Sequence, residues 1–228
     1  MNTQFMAIDS KQSTRDYLQQ RWRLTLTRLQ TKPSLGARPF DEVLRRYSEE
    51  TRHYHTTEHL RFGFQVLDEV FPSKEPNIGL IDLAFWYHDF VYDPKLHDNE
   101  VKSAFVAEDR ALRGLGLSEQ DSTKIALLIR DSEHKTPPKS REAEILLDID
   151  LAILGATSEE FDHYENGIWS EYQQHVSLED FRHARANILK RFNQGPVFWS
   201  PEMRGGVYER RAKVNLRRSI RQLNPKGA

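Results

Sequence analysis

The sequence of 228 residues contains no cysteine but nine histidines. Without thiols the chain can form no disulfide, no thiolate-held iron–sulfur cluster and no cysteine-based zinc module. Any transition-metal ion would therefore have to be held by His, Asp and Glu side chains. The sequence also lacks the run of about 18–20 apolar residues that a membrane-spanning helix needs, and it lacks an apolar secretion-signal core near its start. We therefore expect a cytoplasmic protein that does not contact a membrane.

The net charge of −1 conceals an uneven distribution. Residues 182–228 contain twelve lysines and arginines against two glutamates, a net charge of +10, so the rest of the chain carries −11. A basic end can contact nucleic acid or phosphate, or it can be a solvated helix face that docks on the acidic part of the same chain. We favour the docking interpretation, because the basic residues alternate with Leu216 and Ile220 as on an ordinary amphipathic helix. Nucleic acid is therefore not an expected partner.

Apolar residues recur at helical spacing along nearly the whole chain, and no alternating strand pattern is present. The pattern predicts an all-α protein with one helical domain over residues 13–224, preceded by a mobile arm of residues 1–12. Ser13 and Ser118 are predicted helix caps. Residues 78–92 are apolar nearly all round, which predicts a buried central helix. The predicted helices cover residues 13–31, a short segment from 41, 56–70, 78–92, 98 to 114 or 116, a segment from 118, 140–154, 158–174, 178–193 and 203–222.

His88 and Asp89 are adjacent polar residues inside the apolar segment 78–92. An ionised carboxylate among apolar neighbours is costly unless it is paired or bound to a metal ion. Neighbouring residues of a helix point about 100° apart, so both side chains can reach one ion between them. Alternatively, His88 is a neutral core residue bonded to a carbonyl and Asp89 caps a helix end. For the dipeptide alone, this alternative is favoured.

His55 and His59 are four residues apart and share a face if that turn is helical. The only glutamate between them, Glu58, stands next to the second histidine rather than the first, which does not fit a metalloprotease zinc motif. Phe62 and Val66 follow His59 on its own face, which turns His59 towards the core. His55 is placed at the helix start, on the edge of a pocket. For either histidine by itself, a surface or capping role is the default.

Asp148 and Asp150 interrupt an apolar helical segment. They point about 200° apart on a regular helix, so they cannot both serve one ion. Apolar residues flank Asp150 on both neighbouring turns, whereas Asp148 has a glutamate one turn away. We therefore expect Asp150 to be the more deeply set acid and the metal ligand, with Asp148 as its rival.

Together, His59, His88, Asp89 and Asp150 form a set of two imidazoles and two carboxylates on three predicted helices. Mixed nitrogen and oxygen ligands suit Mn²⁺, Fe²⁺, Co²⁺, Ni²⁺ or Zn²⁺, and they do not exclude Mg²⁺. Such an ion lowers the pKa of bound water and neutralises a phosphoryl oxygen. The set therefore indicates metal-assisted hydrolysis of a phosphate ester.

Four segments carry a family resemblance. They are Arg-x-Tyr-His-x-x-x-His (52–59), Trp-Tyr-His-Asp-x-Val-Tyr-Asp-Pro (86–94), Asp-Asn-Glu-x-x-Ser-Ala (98–104) and Leu-Leu-Asp-x-Asp-Leu-Ala-Ile-Leu-Gly (146–155). In this order they resemble the HD-domain superfamily of metal-dependent phosphohydrolases, and most closely a bacterial branch known only as predicted HD phosphohydrolases. The similarity extends from about Tyr47 to Leu216.

The resemblance implies an all-α HD-domain bundle with additional C-terminal helices, in which His59, His88, Asp89 and Asp150 hold one divalent metal ion. It also implies attack of metal-bound water on phosphorus in a small phosphorylated substrate, a nucleotide being the expected class. Asp89 would act at the metal. A second ion is possible, because some relatives are binuclear.

Five further residues are assigned from the sequence. Glu100 is the candidate general base that orients the attacking water. Arg52 and Arg185 are candidate phosphate ligands through bidentate contacts, with surface solvation as the alternative for both. His55 and His134 are candidate substrate contacts, and His134 could instead serve a second ion or end a helix.

Three other functions remain as alternatives. The basic C-terminal region could bind nucleic acid, which would weaken steeply with salt. The metal could stabilise or sense without turnover. Two irons could activate oxygen, as in a few HD relatives. The sequence does not fix the oligomeric state.

Overall fold

The computed structural model describes residues 12–71 and 75–224, and all their regular secondary structure is helical. The predicted all-α class is confirmed. Apart from Gln12, the predicted N-terminal arm lies outside the described residues. These residues form ten α-helices: α1 Thr14–Arg28, α2 Ala37–Arg46, α3 Thr57–Val70, α4 Ile78–Tyr87, α5 Asn99–Asp109, α6 Glu119–Asp131, α7 Arg141–Asp150, α8 Ser158–Tyr172, α9 Leu178–Asn193 and α10 Val207–Leu223. Short 3₁₀ turns cover Pro33–Leu35 and Leu151–Gly155, and a π-helical turn covers Arg110–Gly114.

Helix α4 is the central helix, as its apolar pattern predicts. All ten of its residues are buried, and it packs against α1, α3, α5, α6 and α7. Its one acid, Asp82, is fully buried and pairs with Arg21 at 2.5 Å and Arg28 at 2.9 Å, both on α1. A buried carboxylate needs such partners, so this ion pair fixes α1 on α4.

The prediction that this helix continues to residue 92 is wrong, because α4 ends at Tyr87. The Arg52 guanidinium donates to the carbonyls of Asp89 at 2.7 Å and Phe90 at 3.1 Å, and the Tyr47 hydroxyl accepts from the Asp89 amide at 3.2 Å. These bonds satisfy backbone groups that a continued helix would have paired internally. His88 therefore stands at the helix end and Asp89 just beyond it.

Helices α3 and α4 approach closely at Gly63. A Cβ at this position would lie 2.1 Å from the Phe85 ring. Only a residue without a side chain allows this contact. The close approach places the start of α3, which carries His59, against the end of α4, which carries His88.

Other predicted helix boundaries also differ from the structure. The first helix ends at Arg28 rather than at residue 31, and α7 ends at Asp150, before a 3₁₀ turn, rather than at residue 154. Helix α2 begins at Ala37, not at residue 41, because Pro39 is tolerated in the first turn, where no intrahelical donor is required. Helix α10 begins at Val207, after Gly205 and Gly206, rather than at residue 203. Ser13 and Ser118 cap α1 and α6, as predicted.

The basic C-terminal region docks partly on α8. Arg218 pairs with Asp162 at 2.6 Å, and Arg185 pairs with Glu165 at 2.6 Å. These contacts agree with the docking interpretation for part of the basic charge. No helix within the described ranges has the length and apolar character needed to cross a bilayer.

Candidate metal centre

Four polar side chains meet where the start of α3, the end of α4 and the end of α7 converge. The Nε2 atoms of His59 and His88 lie 3.0 Å apart. An oxygen of Asp150 lies 3.4 Å from His59 Nε2 and 3.3 Å from His88 Nε2. An oxygen of Asp89 lies 3.0 Å from His88 Nε2 and 4.0 Å from His59 Nε2. Two imidazoles and two carboxylates therefore surround one point.

His88 is oriented by its own helix. Its Nδ1 lies 2.8 Å from the Phe85 carbonyl, and its ring stacks on the Phe85 ring with centroids 4.8 Å apart. A hydrogen bond from Nδ1 to a carbonyl leaves Nε2 unprotonated in the neutral ring and free to bind a metal. Because the Nδ1 atom is hydrogen-bonded to the end of α4, the Nε2 atom on the other side of the ring faces the cluster.

The cluster attracts positive charge. Burial lowers the pKa of His59, and it acts in the same direction on His88, but Asp89 and Asp150 outweigh it and raise the pKa of His88 well above its usual range. Burial would raise the pKa of both carboxylates, but the charge on His88 holds each pKa below its usual range. Two ionised carboxylates thus require a cation between them, either a protonated histidine or a metal ion.

The two acids of α7 have different neighbours. Asp148 is fully buried and accepts from the amides of Trp199 at 2.7 Å and Ser200 at 2.8 Å, and from the Ser200 hydroxyl at 2.5 Å. Asp150 is 17% exposed and stands beside the two histidines. The expectation that Asp150 is the more deeply set acid is wrong, because the segment after α9 covers Asp148.

His134 and His55 each lie beside one carboxylate of the cluster. His134 Nε2 lies 2.9 Å from Asp150 Oδ2, and its backbone has a left-handed φ of 52°. His55 Nε2 lies 3.8 Å from Asp89 Oδ2. Neither residue belongs to a helix, so each presents its ring from a loop.

Glu171 is a site residue that sequence reasoning missed. It is buried, its Oε1 accepts from the amides of residues 53, 54 and 55 at 2.8–3.0 Å, and its Oε2 lies 2.8 Å from both His55 Nδ1 and the Tyr92 hydroxyl. Burial would raise its pKa, but His55 and the amides outweigh this effect and hold the pKa at about 2. The available signal was its position on the apolar stripe of α8, after Phe161, Tyr164 and Ile168.

Neither candidate arginine is a solvated surface residue, so that alternative is wrong for both. Arg52 is 5% exposed, and its guanidinium binds the carbonyls of Asp89 and Phe90. Arg185 is 7% exposed and donates to Glu165 and the Tyr164 hydroxyl. Arg52 therefore holds the loop that carries Asp89, and the charge of Arg185 is compensated at the cavity wall.

A cavity of about 420 Å³, here called the main cavity because Asp89 and Asp150 line it, opens beside the cluster, and a larger one of about 490 Å³ lies on the side of His59. His55, Asp89, His134 and Asp150 line the main cavity. Glu100, in the first turn of α5, also lines it, and burial raises the pKa of this carboxyl. Six aromatic side chains, here called the aromatic wall, also line it: Tyr54, Tyr92, Tyr164, Tyr172, Phe181 and Phe192.

Asp98 is exposed and immediately precedes α5, at the N-cap position. Its side chain makes no capping hydrogen bond and pairs instead with Lys102 at 2.8 Å.

Comparison of the chain with protein-family models, with curated proteins and with solved structures finds no match. The HD-domain resemblance therefore stays a prediction from the sequence motifs.

Proposed function

We propose that this chain is a divalent-metal-dependent phosphohydrolase that acts on a small phosphorylated metabolite. The observation that carries the proposal is the convergence of His59, His88, Asp89 and Asp150 from three separate helices beside a cavity. Nothing in packing alone requires two buried imidazoles with facing Nε2 atoms between two carboxylates.

The donor set fits a metal ion. Two ligands bound side by side at about 2.1 Å from one ion lie about 3 Å apart, which is the separation of the two Nε2 atoms. His59, His88 and Asp89 offer ligand atoms within 4.8 Å of one another, and Asp150 adds a fourth. A bound divalent ion would supply a Lewis acid that lowers the pKa of water and offsets charge on a phosphoryl oxygen.

The chain's own residues would bind and orient the substrate. Glu100 lines the main cavity, burial raises the pKa of its carboxyl, and its carboxylate would accept a proton from water there. His55 and His134 line the same cavity and would contact phosphate oxygens. The aromatic wall would exclude bulk water around the organic part of the substrate.

The test uses purified full-length protein, stripped with chelator and reloaded separately with Mn²⁺, Fe²⁺, Co²⁺, Ni²⁺, Zn²⁺ or Mg²⁺. Bound metal is measured per chain, and hydrolysis is assayed on a panel of phosphorylated metabolites. We expect about one ion per chain and hydrolysis that requires it. His88→Ala and Asp89→Asn should lose both.

His97→Ala is the matched control, because His97 is an exposed histidine outside the cluster and should change neither readout. Wild-type protein that binds no metal would overturn the proposal. Bound metal without turnover on any phosphate ester would replace it with the metal-binding scaffold. Two irons per chain with oxygen consumption would indicate the oxygenase alternative.

A further inference from the structure

A second cavity of about 320 Å³ adjoins the main cavity. His134, Leu151 and Phe192 line both cavities, so the two cavities share these side chains as a common wall. The His134 and Phe192 rings meet edge to face with centroids 5.9 Å apart. A ligand seated beside Asp150 would have to cross this shared wall, at the His134 and Phe192 rings, to reach the second cavity.

The two cavities differ in charge. Asp89, Glu100, Asp150 and Asp180 line the main cavity. Lys135, Arg191 and Arg204 line the second one, which we call the basic cleft, and no Asp or Glu lines it. Arg191 and Arg204 belong to the basic C-terminal region, residues 182–228, which contributes no residue to the metal cluster.

Two of these cations are uncompensated. Lys135 pairs with Glu133 at 2.9 Å. Arg191 and Arg204 are exposed, and neither has a carboxylate partner among residues 12–71 and 75–224. Arg185 and Arg218, by contrast, are paired with acids of α8. The basic cleft therefore holds two positive charges that no carboxylate of the described residues neutralises.

The cleft is held in a fixed relation to the metal centre. Asp148 binds the amides of Trp199 and Ser200, and Trp199 lines the cleft. Asp148 and Asp150 belong to the same helix, α7, so one helix carries both a cluster residue and the anchor of the cleft wall. Arg191 lies in the last turn of α9, with its guanidinium carbon 5.7 Å from the centre of the Phe192 ring.

We propose that the basic cleft binds a second phosphate group of the substrate, which makes the substrate class a bisphosphorylated small molecule rather than a monophosphate. This inference rests on the proposed function, since the first phosphate would lie at the metal centre. Arginine guanidinium groups match phosphate oxygens through paired hydrogen bonds. Leu151 and Phe192 offer apolar contact to the part of the molecule between its two phosphates.

The first experiment measures binding of inorganic pyrophosphate to metal-free full-length protein by titration calorimetry. Removing two charged donors should weaken binding about ten-fold or more in the variant Arg191→Gln/Arg204→Gln. The matched control is Arg182→Gln/Lys190→Gln, which removes two exposed charges of α9 that line none of the described cavities, and it should stay within about two-fold of wild type.

The second experiment compares kcat/KM for adenosine 3′,5′-bisphosphate and adenosine 5′-monophosphate in the metal-loaded protein. Wild type and control should favour the bisphosphate by about ten-fold or more, and the cleft variant should lose this preference while keeping its monophosphate activity. Pyrophosphate binding that depends on the two arginines without any hydrolysis would support the anion site and overturn the phosphohydrolase. Hydrolysis with no bisphosphate preference, or pyrophosphate binding unchanged in the cleft variant, would overturn the basic cleft proposal alone.

Discussion

Asp148 and Asp150 are chemically identical, yet their neighbours assign them different roles. Asp148 accepts three hydrogen bonds from the segment after α9, whereas Asp150 faces His59, His88 and His134. A carboxylate saturated by amide and hydroxyl donors has little capacity left for an ion, while one beside imidazoles is available to a cation.

Exchanging each acid for its amide separates the two roles. Asp150→Asn should lower metal affinity at least about ten-fold, because a charged ligand is lost. Asp148→Asn should keep the metal but cost about 1–3 kcal/mol of unfolding free energy, because two amides and a hydroxyl lose their charged acceptor. Metal analysis and urea unfolding measure the two effects. The opposite pattern, with metal lost in Asp148→Asn alone, would reverse the assignment.

Glu171 gives the fold a dependence on acid. Its pKa is about 2 in the folded chain against an ordinary value of 4.5, so its ionised form stabilises the fold above about pH 4.5, and this contribution is lost as the pH falls towards 2. The contribution, shared with His55, is about 3 kcal/mol. Glu171→Gln should therefore be less stable at pH 7 and should flatten the decline of stability below pH 4.5.

Chemical unfolding between pH 7 and pH 3 checks this prediction. The control is Glu179→Gln, which changes an exposed acid of α9 and should keep the wild-type pH profile. A Glu171→Gln profile parallel to wild type across this range would contradict the role of the ion pair.

At the scale of elements, the metal centre depends on how closely α3 approaches α4. Gly63 lets the Phe85 ring lie against the α3 backbone, and Phe85 in turn stacks on His88 and accepts its Nδ1 hydrogen bond. The separation of the two helices and the aim of the His88 ring are therefore set by the same contact.

Gly63→Ala should consequently disturb both packing and site. A Cβ 2.1 Å from the Phe85 ring must displace that ring, at a cost of about 1–3 kcal/mol. Metal affinity should fall as well, because the His88 ring moves with Phe85. Gly195→Ala is the matched control, since its Cβ would meet no atom within 4 Å, and its unfolding free energy should stay within about 0.5 kcal/mol of wild type. Equal stability of both variants would contradict this account.

At the scale of the whole molecule, the candidate ligands connect three regions of the chain. His59 begins α3, His88 and Asp89 follow α4, and Asp150 ends α7. An ion bound by all three binds the folded chain and not the unfolded one, so it adds to stability by mass action.

Removing the metal should therefore lower the melting temperature. With free metal at about one hundred times its Kd, the lost stabilisation is about 2.7 kcal/mol, or roughly 5–10 °C for a chain of this size. Scanning calorimetry of metal-loaded and chelator-treated protein measures the shift, and His88→Ala should show none. Identical melting temperatures for both wild-type forms would mean that the ligands are not joined by an ion.

Local patterns in the sequence determined the all-α class, the buried central helix α4 and the inward position of His59 and His88. These features depend on which residues stand three or four positions apart, and helical periodicity records that directly. The capping residues Ser13 and Ser118 could be predicted from the sequence as well, because a capping hydrogen bond is formed within one helical turn.

Only the tertiary structure decided what lies opposite each side chain. Three features depend on segments between 37 and 118 residues away in the chain: the burial of Asp148, the contacts of Arg52 with backbone carbonyls, and the ion pair of Glu171. The early end of α4 has the same origin, since Arg52, from another loop, binds the carbonyls of Asp89 and Phe90 just beyond the helix. Helical periodicity does not predict such pairings, because the pattern shows which face of a helix is buried and not which residue covers that face.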